Sequence, residues 1–254
     1  MRISKINELK RGAFVPIKSF RLQDDLNPKL WNDFEIDNLV RKQLITIAKD
    51  FYEGCDLQAK IKDIVLCGSL CNYNWSEKYS DFDLHIIIDF IDVDDEYELV
   101  ENLCDLAKKM WNTLHQIKIK GYDVEIAIQD SDVMLQEIED GKMGGVFSLK
   151  NNKWIKIPEK IEFKPNERMI KEKSKVLMML IDEIEEDSKT KEFSQLENRI
   201  KKVWNKIKDY RKSGLESESG EFSIGNLIFK LLRRNGYIDR FMELKRKLYD
   251  SQFK

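Results

Sequence analysis

The stretch CGSLCNYNWSEKYSDFDLHIII, residues 67–88, decides how this chain is read. Just upstream, IKDIVLC (61–67) is a short β-branched run that stops at Gly68, the pattern of a strand entering a turn. Eleven residues separate Ser69 from Asp81, and Asp81 and Asp83 introduce a second run, FDLHIIIDF (82–90). Ile86–Ile88 make that run too apolar for a strand exposed on both faces. Helical spacing follows over 94–112, with Tyr97, Val100, Leu103, Cys104, Ala107, Met110 and Trp111. Over 122–129, Val124, Ile126 and Ile128 alternate with Asp123, Glu125 and Ala127, which predicts a third strand. The order strand, turn, strand, helix, strand predicts a mixed α/β (α+β) sheet domain.

Upstream, 34–53 carries Ile36, Leu39, Val40, Leu44, Ile47, Ala48 and Phe51 at helical spacing, with Asp37 as N-cap. A short helix is expected after Asp130. A hairpin of 146–149 and 153–157 then turns on Asn151-Asn152, residue types that tolerate positive φ. Pro158 and Pro165 bracket a charged connector, and no proline follows. The remainder reads as helices over 166–187, 190–212, 223–235 and 237–250, punctuated by Ser223 and Asn235-Gly236, with SGLESESG (213–220) as a mobile loop. Two domains are expected: a sheet domain over 1–160 and an all-helical C-terminal domain over 161–254.

Composition narrows the class. The chain has 254 residues, 42% hydrophobic and 35% charged, with no run near the roughly 20 apolar residues of a spanning helix. The opening MRISKINELKRGAFVPIKSF lacks a continuous apolar core, so secretion is not expected and a cytoplasmic protein is. Cys55, Cys67, Cys71 and Cys104 make no disulfide framework, and two histidines exclude a His-rich metal site. Charge is unevenly spread: residues 166–254 hold 21 Lys and Arg against 16 Asp and Glu, and residues 1–165 hold 23 against 30. An acidic front and a basic tail suit carboxylates that hold cations and cations that hold phosphates, although ordinary scatter gives the same totals.

The chemistry converges on carboxylates. Asp81 and Asp83, at i and i+2, project from one strand face about 6.6 Å apart. Glu125 shares a polar face with Asp123 in a strand able to neighbour theirs. Three carboxylates around two divalent cations are what in-line phosphoryl transfer uses. Hard oxygen ligands favour Mg²⁺, with Mn²⁺ as a substitute, over zinc. Gly68 before Ser69 permits a close backbone approach to phosphate.

Taken together, Gly68-Ser69, the spacer, Asp81-Phe82-Asp83-Leu84 and the later Val124-Glu125-Ile126 resemble the signature of the DNA polymerase β-like nucleotidyltransferase superfamily. The resemblance covers residues 61–128. It implies a nucleotidyltransferase sheet core and Mg²⁺-dependent transfer of a nucleoside monophosphate from an NTP. Asp81, Asp83 and Glu125 would be catalytic metal ligands, and Gly68 and Ser69 would contact the triphosphate. FSIGNLIFKLLRRNGYIDR (222–240) is similar to nucleotidyltransferases predicted in large tailed phages. Relatives clamp the triphosphate with basic residues of a C-terminal helical domain, which makes Lys230 the first candidate, with Asn226, Arg233 and Arg234 beside it.

Each feature also has an ordinary explanation. An isolated Asp-x-Asp at a strand start is usually a cap or a solvated pair; the preceding Gly-Ser and the later acid reverse that balance. Asp123 competes with Glu125 for the third position. His85 shares the parity of the two aspartates, and a half-buried strand histidine is the commoner case. Tyr73, Trp75 and Tyr79 either stack on a base or anchor the spacer. The eight acids from Asp89 to Asp105 suit a solvated face. Lys201, Lys202, Lys206, Lys208, Arg211 and Lys212 suit either a nucleic-acid track or a solvated helix. The basic tail favours an RNA or tRNA 3′ end as acceptor. The alternatives are a toxin or defence enzyme acting on a protein or small molecule, and a non-catalytic nucleotide-binding module.

Overall fold

The computed structural model describes residues 16–253. The readings of the opening segment and of the start of the first domain concern residues 1–15, outside the described residues. The elements run β1 (Trp31–Asn32), β2 (Glu35–Ile36), α1 (Asn38–Gly54), β3 (Asp63–Cys67), β4 (Phe82–Ile88), α2 (Tyr97–Leu114), β5 (Lys118–Ile119), β6 (Tyr122–Asp130), α3 (Ser131–Glu139), β7 (Val146–Ser148) and β8 (Lys153–Lys156). Helices α4 (Glu167–Asp187), α5 (Phe193–Leu215), α6 (Ile224–Arg234) and α7 (Tyr237–Asp250) follow. This is an α+β fold with a helical C-terminal region. No described helix is long and apolar enough to cross a membrane.

Six strands form one mixed sheet in the order β5-β6-β4-β3-β7-β8. Only β4 and β6 pair in parallel, because α2 carries the chain back to start β6 beside β4 in the same direction. One face presents Ile64, Leu66, Phe82, Leu84, Ile86, Ile88, Ile126 and Ile128 to Val40, Leu44, Ala48 and Phe51 of α1 and to Val100 and Cys104 of α2. The opposite face buries Val65, Cys67, Ile87 and Val146 beneath Met134 and Ile138 of α3. Cover on both faces explains the unbroken Ile86-Ile87-Ile88 run.

Several elements begin where the sequence marks them. The Asp37 carboxylate accepts from the N–H groups of Leu39 and Val40, and Asp130 does the same for Asp132 and Val133 at the start of α3. The hairpin turns with Asn152 at φ 53°. The start of α1 differs from the 34–53 expectation. Ile36 pairs with Trp31 in a small two-stranded ribbon that turns at Asp33, φ 57°, and the helix begins after the Asp37 cap. Helix α5 continues to Leu215, through the first residues of the stretch read as a loop.

Residues 20–162 form one compact unit, and residues 163–253 form the other. The boundary falls within the charged connector, but residues 16–19 group with the helices and not with the sheet. Arg234 is one reason, since its Nη1 donates to the Ser19 carbonyl at 2.6 Å and to the Ser19 hydroxyl at 2.8 Å. Within the helical unit α6 is buried through Leu227, Ile228, Leu231 and Leu232. Its Gly225 lies against α5 so closely that a Cβ there would stand 2.0 Å from the Tyr210 carbonyl oxygen.

Candidate active site

The sheet register brings the sequence-predicted acids together. Asp83 is the direct partner of Glu125 across the parallel β4–β6 pair, and of Cys67 across the antiparallel β3–β4 pair. Cys67, Asp83 and Glu125 therefore form one row on one face, with neighbouring strands about 4.8 Å apart. Asp81 lies one step outside β4, on the same face as Asp83 by parity. Asp81 and Asp83 are half-buried and Glu125 is exposed, which places the row at the rim of the sheet. Farther along β4 the same face is covered by α3.

The Gly68-Ser69 turn closes on this row. Gly68 has φ 71° and ψ −159°, a conformation open essentially to glycine alone. A Cβ there would stand 1.7 Å from Oδ2 of Asp83, so the space freed by the missing side chain holds that carboxylate. A 3-10 turn, Ser69–Cys71, follows at once. The Ser69 and Ser80 hydroxyls lie 2.7 Å apart, and Ser80 Oγ also accepts from the Ser76 N–H at 2.9 Å. Ser80 thereby ties the end of the spacer to its beginning and fixes the approach to Asp81. It went unrecognised in the sequence, although its position directly before Asp81 was the available signal.

The two candidates for third acid are separated by their neighbours. Asp123 sits opposite Lys118 on β5 and forms a 2.6 Å ion pair with it, with the Asp123 side chain 60% exposed. Glu125, one pleat farther in, is the one beside Asp83. Among the described residues, no three His, Cys, Asp or Glu side chains already converge closely enough to hold an ion. The donor set itself is all carboxylate oxygen, and the backbone cradle at Gly68 leaves the Asp83 carboxylate in place at its mouth. That chemistry fits Mg²⁺ or Mn²⁺ better than zinc. Cys67 is buried, its thiol donates to the Asp83 carbonyl at 3.6 Å, and burial pushes its pKa well up, which argues against a thiolate ligand.

His85 occupies the next row, between Val65 and Ala127. Its Nδ1 lies 2.7 Å from Oε1 of Gln129, whose Nε2 donates to Glu137 on α3 at 2.8 Å. Gln129 thus accepts from an Nδ1–H, and a neutral ring keeps Nε2 unprotonated. Desolvation holds the His85 pKa below its ordinary 6.5, with the Gln129 hydrogen bond pulling the other way. The unfolded chain therefore takes up a proton that the fold resists, and stability falls as pH drops below about 6.5 towards the folded value. Thermal melts should show a smaller loss between about pH 7 and about pH 5.5 in His85→Gln than in the parent. Equal losses would mean that His85 is not the group responsible.

Two of the spacer aromatics, Tyr73 and Trp75, are tied to the segment before β1. Tyr73 is buried and its carbonyl accepts from the Gln23 N–H at 2.7 Å, while the Trp75 indole donates to the Asp25 carbonyl at 2.9 Å. In the helical unit, Asn226 is 3% exposed and its amide donates to the Glu221 carbonyl at 2.7 Å. Lys230 reaches Glu221 at 3.4 Å, and Arg234 is engaged with Ser19. On α5, Lys201 pairs with Glu197 at 2.6 Å and Arg211 lies over the Phe229 ring at 4.3 Å. No family model, curated protein or solved structure matches the chain.

Proposed function

We propose that this protein is a divalent-cation-dependent nucleotidyltransferase that moves an NMP from an NTP to an acceptor and releases pyrophosphate. The observation that carries the proposal is the row at the sheet rim: Asp83 beside Glu125, with the Gly68 backbone packed against the Asp83 carboxylate. Asp81, Asp83 and Glu125 would hold the cations. Bound Mg²⁺ supplies charge neutralisation on the triphosphate and activation of the attacking oxygen. The protein's own part is positioning. Ser80, already accepting from the Ser76 N–H, has a proton to offer the Ser69 oxygen, and Ser69 would then have its own O–H to donate to a phosphate oxygen. Preorganised donors and carboxylates of this kind act without reorganising during the reaction.

An RNA 3′ end, a tRNA among them, is the favoured acceptor because the basic residues concentrate in the helical region. The test is incubation with each α-labelled NTP, Mg²⁺ or Mn²⁺, and total RNA or total protein. Label in RNA supports the proposal in full. Label in protein or in a small molecule keeps the chemistry and replaces the acceptor, and no transfer from any NTP refutes the proposal.

The third acid has its own differential. Glu125→Gln should lower transfer by at least about 100-fold, the scale on which a preorganised electrostatic group is lost. Asp123→Asn should change it by less than about threefold, because an exposed ion pair with Lys118 contributes little. Steady-state rates of the two variants decide it, and the reverse order would move the role to Asp123.

A further inference from the structure

Helix α2 carries two apolar stripes. Val100, Cys104, Ala107 and Trp111 pack into the core of the sheet unit. Leu99, Leu103, Leu106, Met110 and Leu114 form the second, roughly a quarter-turn round the helix at 3.6 residues per turn. These five are 46–71% exposed, from Leu103 to Leu114. They recur at steps of four, three, four and four residues, the spacing of a helix–helix seam. Leu103, Leu106, Met110 and Leu114 also line an apolar groove of about 460 Å³ whose other wall is Phe51, Gly54, Cys55 and Leu57. An exposed stripe of this kind marks an interaction surface. Five such side chains and the groove rim offer on the order of 500–800 Å² per copy, approaching what a stable interface takes from each partner.

The charges beside the stripe identify its occupant. Glu98 and Lys109 lie on the same outer flank, both exposed, and among the described residues neither has an ion-pair partner. We infer that α2 is the interface of a two-fold dimer, in which the stripe packs antiparallel against the same stripe of a second copy of this chain. The self-complementary register sets Leu103 opposite Leu106 of the second copy and Leu99 opposite its Met110. In that register Glu98 falls two residues, about 3 Å along the axis, from Lys109 of the other copy. The two-fold symmetry makes this pair twice, while Asp105, exposed on the same flank, meets Asp105 of the other copy only once, one residue apart along the axis. A parallel arrangement would instead crowd Asp92, Asp94, Asp95, Glu96 and Glu98 of both copies together, with no lysine or arginine among them.

The test is sedimentation velocity on the full chain across about 1–100 µM, a range that covers interfaces of this size. The parent should sediment as a dimer, at twice the 30.2 kDa of one chain. Leu106→Glu should sediment as a monomer with an unchanged circular dichroism spectrum, since the residue is exposed. Glu98→Lys and Lys109→Glu should each weaken dimerisation by about tenfold, and the double exchange Glu98→Lys/Lys109→Glu should restore it. A parent that is monomeric at the highest concentration overturns the inference and leaves the stripe to a different protein. A dimer whose double exchange is as weak as either single change also overturns it, because the register is then wrong.

Discussion

Asp83→Asn is expected to abolish NMP transfer, lowering the rate by at least about 1000-fold, while the protein stays folded. The amide has the shape of the carboxylate, so it still fills the space at Gly68 where a Cβ would meet Oδ2 at 1.7 Å. What it lacks is the charge that would hold a cation beside Glu125 in the proposed site. Asp81→Asn should behave in the same way from its position at the mouth of β4. The melting temperature of either variant should fall by no more than about 4 °C, the equivalent of roughly 1 kcal/mol in a chain of this size. Transfer of α-label and a thermal melt on the same preparation separate the two effects. Undiminished transfer in either variant would remove the carboxylates from the chemistry.

Gly68→Ala should be damaging in a different way, through both fold and site. A φ of 71° with ψ −159° strains any residue with a Cβ, by roughly 1–3 kcal/mol. The added methyl must also displace the Asp83 carboxylate, which leaves the row it shares with Glu125. Stability should therefore fall by at least about 2 kcal/mol, roughly 4–8 °C in melting temperature. Transfer should fall by at least about 100-fold. Repeating the substitution in an Asp83→Ala background isolates the contact. Removing the carboxylate eliminates the 1.7 Å and 2.7 Å clashes and, of the three nearest atoms, leaves Cβ of Asp83 at 3.1 Å. Gly68→Ala should then cost clearly less stability. An equal cost in both backgrounds would assign the whole effect to backbone strain and none to crowding.

Much of the fold was legible because its signals are local. Asp37 and Ser223 cap helices with their own side chains, and Gly236, φ 74°, breaks the chain between α6 and α7. The β1–β2 ribbon was hidden because two-residue strands show no alternation, and Ile36 happens to sit at helical spacing before α1. Strand β5 is equally short. The candidate site divides along the same line. Asp81 and Asp83 announce themselves by their spacing on one strand. Glu125 and Asp123 have the same parity and similar apolar neighbours, and only the lateral register with Asp83 on one side and Lys118 on the other tells them apart. Asn226 falls at i, i+4 and i+8 with Lys230 and Arg234, a spacing that groups it with the basic clamp candidates. Tertiary packing buries its amide against the Glu221 carbonyl, a partner that helical periodicity does not reveal. The His85–Gln129–Glu137 relay spans two strands and a helix, and nothing in the linear order connects its members.

A crystal structure of the protein with Mg²⁺ and a non-hydrolysable NTP analogue would show directly which carboxylates hold the cations. Carboxylate oxygens of Asp81 and Asp83 should both lie about 2.0–2.1 Å from a metal ion. The Glu125 carboxylate should close the same cluster, and the triphosphate should rest against Gly68 and Ser69. A triphosphate bound elsewhere, or cations that touch neither Asp81 nor Asp83, would rule out nucleotidyl transfer at this row.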